Sequence, residues 1–184
     1  MPRLLSETVD THRQAVRDAT LDAAAALVAK GGIRSVTMSA VAEATGIGRA
    51  TLYKYFPDSE AILLAWHERQ VARHLEYLRM LGERDGSARD RLASVLAGYA
   101  AIRHEHGAEV ALHRAKHVRH AERELKDFIE AKIRDCATDG AVRSDVPPAE
   151  LAGYCVHALG AAAALPSKEA VRRLVELTLQ GLRP

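Results

Sequence analysis

The segment from Thr37 to Phe56 reads TMSAVAEATGIGRATLYKYF and holds two short helical patterns on either side of a glycine. Thr37 can cap the first helix, because a hydroxyl at a helix start accepts a hydrogen bond from an unpaired backbone N–H. Ala42 is small where a second helix must cross closely, and Gly46 followed by Ile47 is typical of a tight turn between two helices. The spacing predicts a helix-turn-helix.

The second helix of this segment has a core face and an outward face. Leu52 and Phe56 lie four residues apart and therefore share one side, which we assign to the core. The opposite side then suits the major groove of DNA, where arginine pairs with guanine, small apolar groups meet thymine methyls, and Tyr or Lys holds phosphates. We predict these DNA-binding residues: Thr37, Ser39, Gly48, Arg49, Ala50, Thr51, Tyr53, Lys54 and Tyr55. The alternative is a small helical hairpin whose polar residues only face solvent.

The longer stretch GGIRSVTMSAVAEATGIGRATLYKYFPDSEAIL resembles the DNA-binding region of the TetR family of transcriptional repressors. The recurrent features of that family have counterparts in this chain, namely Thr37, Gly46, the Thr51-Leu52-Tyr53 triplet, Phe56 and Glu60. The similarity covers about Ala19 to Leu64, roughly a quarter of the chain. It implies a DNA-binding regulator.

Two positions depart from the family pattern. Gly48 stands where a polar residue such as Ser is usual, and glycine is only a slightly weaker helix cap. Ser59 stands where relatives usually carry a Lys that contacts phosphate. We expect its absence to remove one phosphate contact per half-site without changing which bases are read.

Composition favours an all-α fold. The chain has 184 residues, 48% of them hydrophobic and only 4% aromatic, and it is rich in helix-forming Ala, Leu, Arg and Glu. A net charge of +2 gives no general signal for a polyanion, so a nucleic-acid role must rest on local arrangement. No nucleophile triad, phosphate loop or dinucleotide motif is present, so we do not predict an enzyme.

Helical periodicity interrupted by Gly and Pro predicts about nine helices. They are expected at about 13–30, two within 37–56, one from Asp58, and then 88–106, 109–118, 121–138, 148–165 and 167–182. In the first, Ala15, Ala19, Ala23, Ala26 and Leu27 are predicted to form the apolar face. We expect a DNA-binding domain over 1–57 and an effector-binding and dimerisation domain over 58–184.

The last two helical segments are predicted to form a homodimer interface. A short recognition helix reads few base pairs, so discrimination among genomic sites requires a second half-site. DGAVRSDVPPAELAGYCVHALGAAAAL and the closing LVELTLQGL resemble the TetR family's last two helices, which form a dimer bundle in relatives. The alternative is that the alanines are only good helix formers inside one chain.

In relatives, the intervening helices enclose an effector cavity, and effector binding changes the spacing of the recognition helices. We predict a small-molecule effector contacted by Trp66, Gln70, Tyr99, Phe128 and Tyr154, although core packing explains each of them equally well.

Histidines cluster between His104 and His120. His113 and His117 have a spacing that can chelate a transition metal, and Glu109 lies four residues earlier. The alternative, which we favour, is a solvated polar face, so no metal or other cofactor is predicted.

Cys136 and Cys155 fit no metal spacing and are predicted to be reduced thiols in a cytoplasmic protein. Neither a signal peptide nor a membrane span is predicted.

The sequence therefore predicts a ligand-responsive repressor that binds a palindromic operator as a homodimer through the helix at residues 49–55. The alternative is a dimeric small-molecule-binding or interaction protein with weak or lost DNA binding.

Overall fold

Eight α-helices are present in the computed structural model, which describes the backbone of residues 3–106 and 115–184 and the side chains of 10–106 and 122–184. No strand occurs in that part of the chain, which confirms the all-α class. The eight α-helices are close to the predicted count of about nine. In chain order the helices are α1 Arg3–Gly31, α2 Met38–Thr45, α3 Arg49–Tyr55, α4 Ser59–Gly82, α5 Ala88–His106, α6 Ala115–Thr138, α7 Pro148–Gly160 and α8 Lys168–Gln180. Two 3₁₀ turns, Ile33–Ser35 and Ala161–Ala164, complete the list.

The chain divides into two compact units, Met1–Gln70 and Val71–Pro184. The core of the first unit is formed by the apolar faces of α1, α2 and α3 and by the start of α4, and its buried residues include Leu21, Val28, Val41, Leu52, Phe56, Ile62 and Trp66. Packing thus assigns the residues of α4 up to Gln70 to the first unit. The domain limits of 1–57 and 58–184 stay a prediction about function.

The second unit is a helical bundle with its own core. Its buried residues include Leu92, Val95 and Leu96 on α5, and Val171 and Val175 on α8. They pack with residues of α4, α6 and α7, including Leu78, Ile129, Ile133, Leu151 and Leu159. The start of α8 is capped by Ser167, whose hydroxyl accepts a hydrogen bond from the Ala170 N–H at 3.2 Å.

The predicted start and apolar face of α1 are wrong. The helix begins at Arg3 rather than Arg13, because no Gly or Pro interrupts its backbone hydrogen bonds before Gly31. Ala15, Ala19 and Ala26 are exposed, and the buried face carries Val16, Thr20, Leu21, Ala24 and Val28 together with Ala23. The larger side chains determine which face is buried, since a methyl group removes little apolar area from water.

Two later helices also differ from the prediction. The break expected between Val118 and Ala121 is absent, because α6 runs without interruption over Ala115–Thr138. The rest of the helix predicted at 109–118 lies outside the described residues. The segment predicted as one helix to Leu165 is α-helical only up to Gly160 and continues as the Ala161–Ala164 3₁₀ turn. Pro166 follows, and a proline disfavours helical geometry at the residue that precedes it.

Candidate DNA-binding surface

Helix α2 starts at a side-chain cap. The Thr37 hydroxyl oxygen accepts a hydrogen bond from the Ala40 N–H at 3.1 Å, as the sequence predicts. Thr37 and Ser39 are both exposed, while Met38 and Val41 point into the core. The beginning of α2 therefore presents two hydroxyl-bearing residues at the surface.

The turn between α2 and α3 depends on a left-handed glycine. Gly46 has φ 70° and ψ 5°, and its N–H donates to the Ala42 carbonyl at 2.9 Å. Thr45 stabilises the same turn, because its hydroxyl donates to the Val41 carbonyl at 2.8 Å and accepts from the Ile47 N–H at 3.2 Å. A side chain at position 46 would strain the backbone, since residues with a Cβ rarely adopt this conformation.

Helix α3 is held by its inner side and open on its outer side. Leu52 is 0% exposed and Phe56, which follows the helix, is 3% exposed. The outer side is that predicted: Arg49, Ala50, Tyr53 and Lys54 are exposed, with Thr51 and Tyr55 half-buried at the flanks. With seven residues, α3 is about 10 Å long, which is short enough to enter a major groove.

The start of α3 lacks a side-chain cap. Gly48 occupies the N-cap position with φ −58° and ψ 139°, values that any residue can adopt. A Cβ at this position would meet nothing within 4 Å. Glycine is therefore not required at Gly48, in contrast to Gly46.

Polar contacts fix the start of α4 and join α4 to α1. Asp58 caps α4, because its carboxylate accepts from the Ala61 N–H at 2.8 Å. Arg69 of α4 donates to the Asp22 carboxylate of α1 at 2.7 Å, so an ion pair joins these two helices.

Arg17 of α1 lies beside this surface and is not among the predicted DNA-binding residues. The centre of its guanidinium group lies 5.4 Å from the centroid of the Phe56 ring, and the residue is exposed. An exposed cation thus stands beside the end of α3. The linear motif cannot show this, because Arg17 belongs to a different helix; only the helical spacing of Arg13 and Arg17 on α1 hints at a basic face.

The predicted effector residues do not share one lining. Trp66 is 5% exposed and belongs to the core of the first unit, and Gln70 is half-buried. Phe128 is half-buried against the second core. Tyr154 is 44% exposed and lies so close to α8 that a Cβ added at Gly181 would stand 2.9 Å from its hydroxyl oxygen.

Tyr99 lines a groove of about 700 Å³ in the second unit. We name this the α5–α7 groove, after the three helices whose side chains line it: Tyr99, Arg103, Glu122, Arg123, Lys126, Gly153, Val156, His157 and Gly160. Of the five predicted effector residues, Tyr99 alone belongs to this lining.

The histidine-rich stretch is only partly described. The His104 Nδ1 lies 3.2 Å from the Ala162 carbonyl oxygen, and the rings of His74 and His106 lie 5.2 Å apart. Within the described residues no three potential metal ligands come together. The predicted chelating pair, His113 and His117, lies outside the described side chains, as do Glu109 and His120.

The two cysteines are packing residues of the second core. Cys136 and Cys155 are both 0% exposed. Burial raises the pKa of the Cys155 thiol to about 12 and also raises that of Cys136. Both thiols are therefore protonated and unreactive near neutral pH.

Comparison with known protein families accounts for nearly the whole described chain. Residues 21–66 match the model of bacterial regulatory proteins of the tetR family. Residues 73–184 match the model of the C-terminal domain of SbtR-like transcriptional regulators. The chain belongs to the TetR family. Its helix-turn-helix is the element shared with DNA-binding transcriptional regulators.

The chain is similar to the HTH-type transcriptional repressor KstR of Rhodococcus jostii (strain RHA1), with 42% identity over 57 residues. That match spans 31% of this chain and 27% of KstR, so the chain matches about a quarter of that repressor's length.

Solved structures share the fold at low sequence identity. A TetR/AcrR-family regulator from Thermobifida fusca YX-ER1 aligns with a TM-score of 0.78 at 20% identity, over 92% of this chain and 100% of the other. FadR of Bacillus subtilis, solved in complex with stearoyl-CoA, aligns with a TM-score of 0.66 at 15% identity, over 90% and 98% of the two chains.

None of the helices in the described part of this TetR-family chain combines the length and the apolar character that crossing a membrane requires.

Proposed function

We propose that this chain is a ligand-responsive transcriptional repressor that binds a palindromic operator as a homodimer. The observation that carries the proposal is the orientation of α3, which buries Leu52 and turns Arg49, Ala50, Tyr53 and Lys54 outward. Because α2 and the Gly46 turn hold α3 from behind, its outer side is free to enter a major groove.

Base reading and phosphate binding fall to different residues of this surface. Arg49 donates two hydrogen bonds to a guanine, and Ala50 with the Thr51 methyl contacts thymine methyl groups. Phosphates are held by the side chains around these base-reading residues: Thr37, Ser39, Tyr53, Lys54 and Tyr55, with Gly48 allowing close backbone approach. Arg17 adds a further phosphate contact from α1, since it stands exposed beside Phe56.

The homodimer forms through α7 and α8. Large apolar side chains are exposed on both helices, Tyr154 at 44% and Leu177 at 61%. The exposed alanines Ala161, Ala163 and Ala164 follow α7 and permit close helix approach. Two copies related by a twofold axis would cover these side chains, and the same axis would relate the two half-sites of a palindrome.

A small-molecule effector binds the second unit and releases the operator. FadR of Bacillus subtilis, a transcriptional regulator that shares this fold, was solved in complex with stearoyl-CoA, which supports a small-molecule effector for this chain. An effector acts here through its different affinity for the DNA-bound and released states. In this proposal, residues 1–57 bind the operator and residues 58–184 bind the effector and dimerise. A repressor with these roles works in the cytoplasm, where the chromosome lies.

A second candidate function is a dimeric small-molecule-binding or interaction protein with weak DNA binding. It is favoured by Ser59, where TetR relatives usually carry a phosphate-binding lysine, and by the net charge of only +2. Duplex binding that is undetectable or insensitive to salt would favour this function over the first.

The test is operator selection followed by gel-shift titration. Purified full-length protein selects fragments from its host genome, and the recovered duplex is titrated with wild type, Arg49→Ala and Tyr53→Ala. We expect Arg49→Ala to lose ~1–3 kcal/mol of binding free energy and to relax specificity at one base pair. Arg84→Ala, which removes an exposed arginine from the second unit, is the matched control and should bind as wild type. Equal binding by all four proteins would overturn the proposal.

A further inference from the structure

The α5–α7 groove is lined by one face from each of three helices. Residues spaced three or four apart share a helical face, so each helix contributes a continuous strip of the lining. Tyr99 and Arg103 form the strip on α5, and Glu122 and Lys126 that on α6. The α7 strip consists of Gly153, Val156, His157 and Gly160. At about 700 Å³, the groove has the size of a typical small-molecule site.

Positive charge predominates in this lining. The described lining residues include one carboxylate, that of Glu122, and three cations, Arg103, Arg123 and Lys126. A concave protein surface lowers the effective dielectric constant, so cations that line it attract an anion more strongly than they would on a flat surface.

Arg103 lines the groove, and its guanidinium group is not fully hydrogen-bonded. Its Nε atom is buried and has no hydrogen-bond partner among the described atoms. A guanidinium group can only donate, and its planar arrangement of N–H groups matches the two oxygens of a carboxylate or phosphate. The natural partner is therefore an oxygen-bearing anion.

Tyr99 adds a neutral donor beside Arg103. Burial raises the pKa of the Tyr99 phenol, although the nearby Arg103 charge opposes this shift. The phenol therefore keeps its proton at neutral pH and can donate a hydrogen bond to an anion.

The α7 strip adds two glycines and the apolar side chain of Val156 next to these donors, and His157 is its one polar residue. The Lys126 Cε would lie 3.7 Å from a Cβ placed on Gly153, so the lysine stem packs along the backbone of α7. The groove thus combines cationic and donor groups with a mainly apolar strip, which is the complement of an amphipathic molecule.

We propose that the α5–α7 groove binds an organic anion, whose carboxylate or phosphate pairs with Arg103 and Lys126 and whose apolar part lies along α7. The inference rests on the proposed function only in naming this anion as the effector.

A pair of matched dyes tests the groove. 8-Anilinonaphthalene-1-sulfonate carries an anionic group, and N-phenyl-1-naphthylamine has the same ring skeleton without it. Fluorescence titration of the full-length protein should show tighter binding of the anionic dye. Arg103→Gln should reduce that preference about tenfold, or about 1.4 kcal/mol, and leave the uncharged dye unaffected. Arg103→Lys, which keeps the charge but loses the planar donor pair, should retain part of the preference.

The control for charge is Arg89→Gln. Arg89 is exposed on the same helix, about 21 Å from Arg103 along the axis at 1.5 Å per residue, so its loss should leave both dyes unaffected. No binding of the anionic dye to wild type, or an unchanged preference in Arg103→Gln, would overturn the proposal.

Displacement distinguishes the chemistry of the anion. Dodecanoate and dodecyl phosphate should each displace the anionic dye at lower concentration than dodecanol, and the better of the two identifies the preferred head group. Equal displacement by dodecanol would contradict an anion site. These titrations contain no DNA, so a protein that fails to bind any operator can still show the predicted anion preference, and the two proposals fail separately.

Discussion

The two candidate binding surfaces of this chain are assembled in different ways. The candidate DNA-binding surface comes almost entirely from the contiguous residues 37–56, where a cap, a turn and two short helices follow one another. The α5–α7 groove collects residues between 99 and 160 from three helices. A surface made from neighbours in sequence depends on local backbone geometry, whereas a groove made from distant residues depends on how a bundle packs.

This difference predicts that matched core substitutions have separate consequences. Leu52 and Leu96 are both 0% exposed, one in each core. Leu52→Ala and Leu96→Ala should each cost about 2–5 kcal/mol of unfolding free energy, because each leaves a cavity. We expect Leu52→Ala to abolish operator binding and to keep binding of the anionic dye. Leu96→Ala should mainly weaken binding of the dye. Thermal unfolding and the two binding titrations measure this. Loss of both activities in both variants would show that the surfaces do not depend on separate cores.

The second prediction concerns how the two half-sites are linked. Leu177→Glu puts a charge into the proposed α7–α8 interface, where desolvating it opposes association. We expect a monomer by light scattering and an operator affinity lower by about 10²-fold, because linked half-sites bind together more tightly than separate ones. Met80→Glu, at a residue that is likewise exposed but lies on α4, is the control and should remain dimeric. A dimeric Leu177→Glu protein would place the interface elsewhere.

The third prediction sharpens the electrostatic contrast between the surfaces. Ser59→Lys supplies the cation usual in TetR relatives at the start of α4. It should steepen the dependence of log affinity on log salt by about one unit per half-site, since one more phosphate is neutralised. Ser144→Lys adds the same charge at an exposed position of the second unit and should leave the slope unchanged. Equal slopes for all three proteins would remove position 59 from the DNA interface.

The smallest effect is expected at the start of the recognition helix. Gly48→Ser supplies the missing hydroxyl cap without a clash and should raise the unfolding free energy by only ~0.3 kcal/mol. The same substitution at Gly46 should instead lower it by ~1–2 kcal/mol, because φ there is positive. Denaturant unfolding of both variants compares the two glycines, and a reversed order would contradict the assigned turn.

Sequence reasoning succeeded where a single residue fixes local geometry. The Thr37 cap, the Gly46 turn and the inward Leu52 were all predicted, because capping, a positive φ and four-residue spacing act within one turn of helix. The buried face of α1 was predicted wrongly. Several alanines are spaced along one side of that helix, but the side with the larger residues Val16, Leu21 and Val28 is the one that is buried.

The predicted effector residues also depend on tertiary packing, which the sequence does not show. Trp66 packs in the first core, and of the predicted residues only Tyr99 lines the α5–α7 groove. Arg103, Glu122 and Lys126 were missed because nothing in their own segments distinguishes them from solvated charges. They line one groove only because α5 packs against α6 and α7.

By itself, the sequence determined the all-α class, the helix-turn-helix and the outward side of α3, because each follows from interactions between residues a few positions apart. Only the tertiary structure decided that the start of α4 completes the first core, that Arg17 stands beside Phe56, and that residues of three helices line one cationic groove. These arrangements join residues that are distant in the chain, and their geometry is set by the packing of whole helix faces.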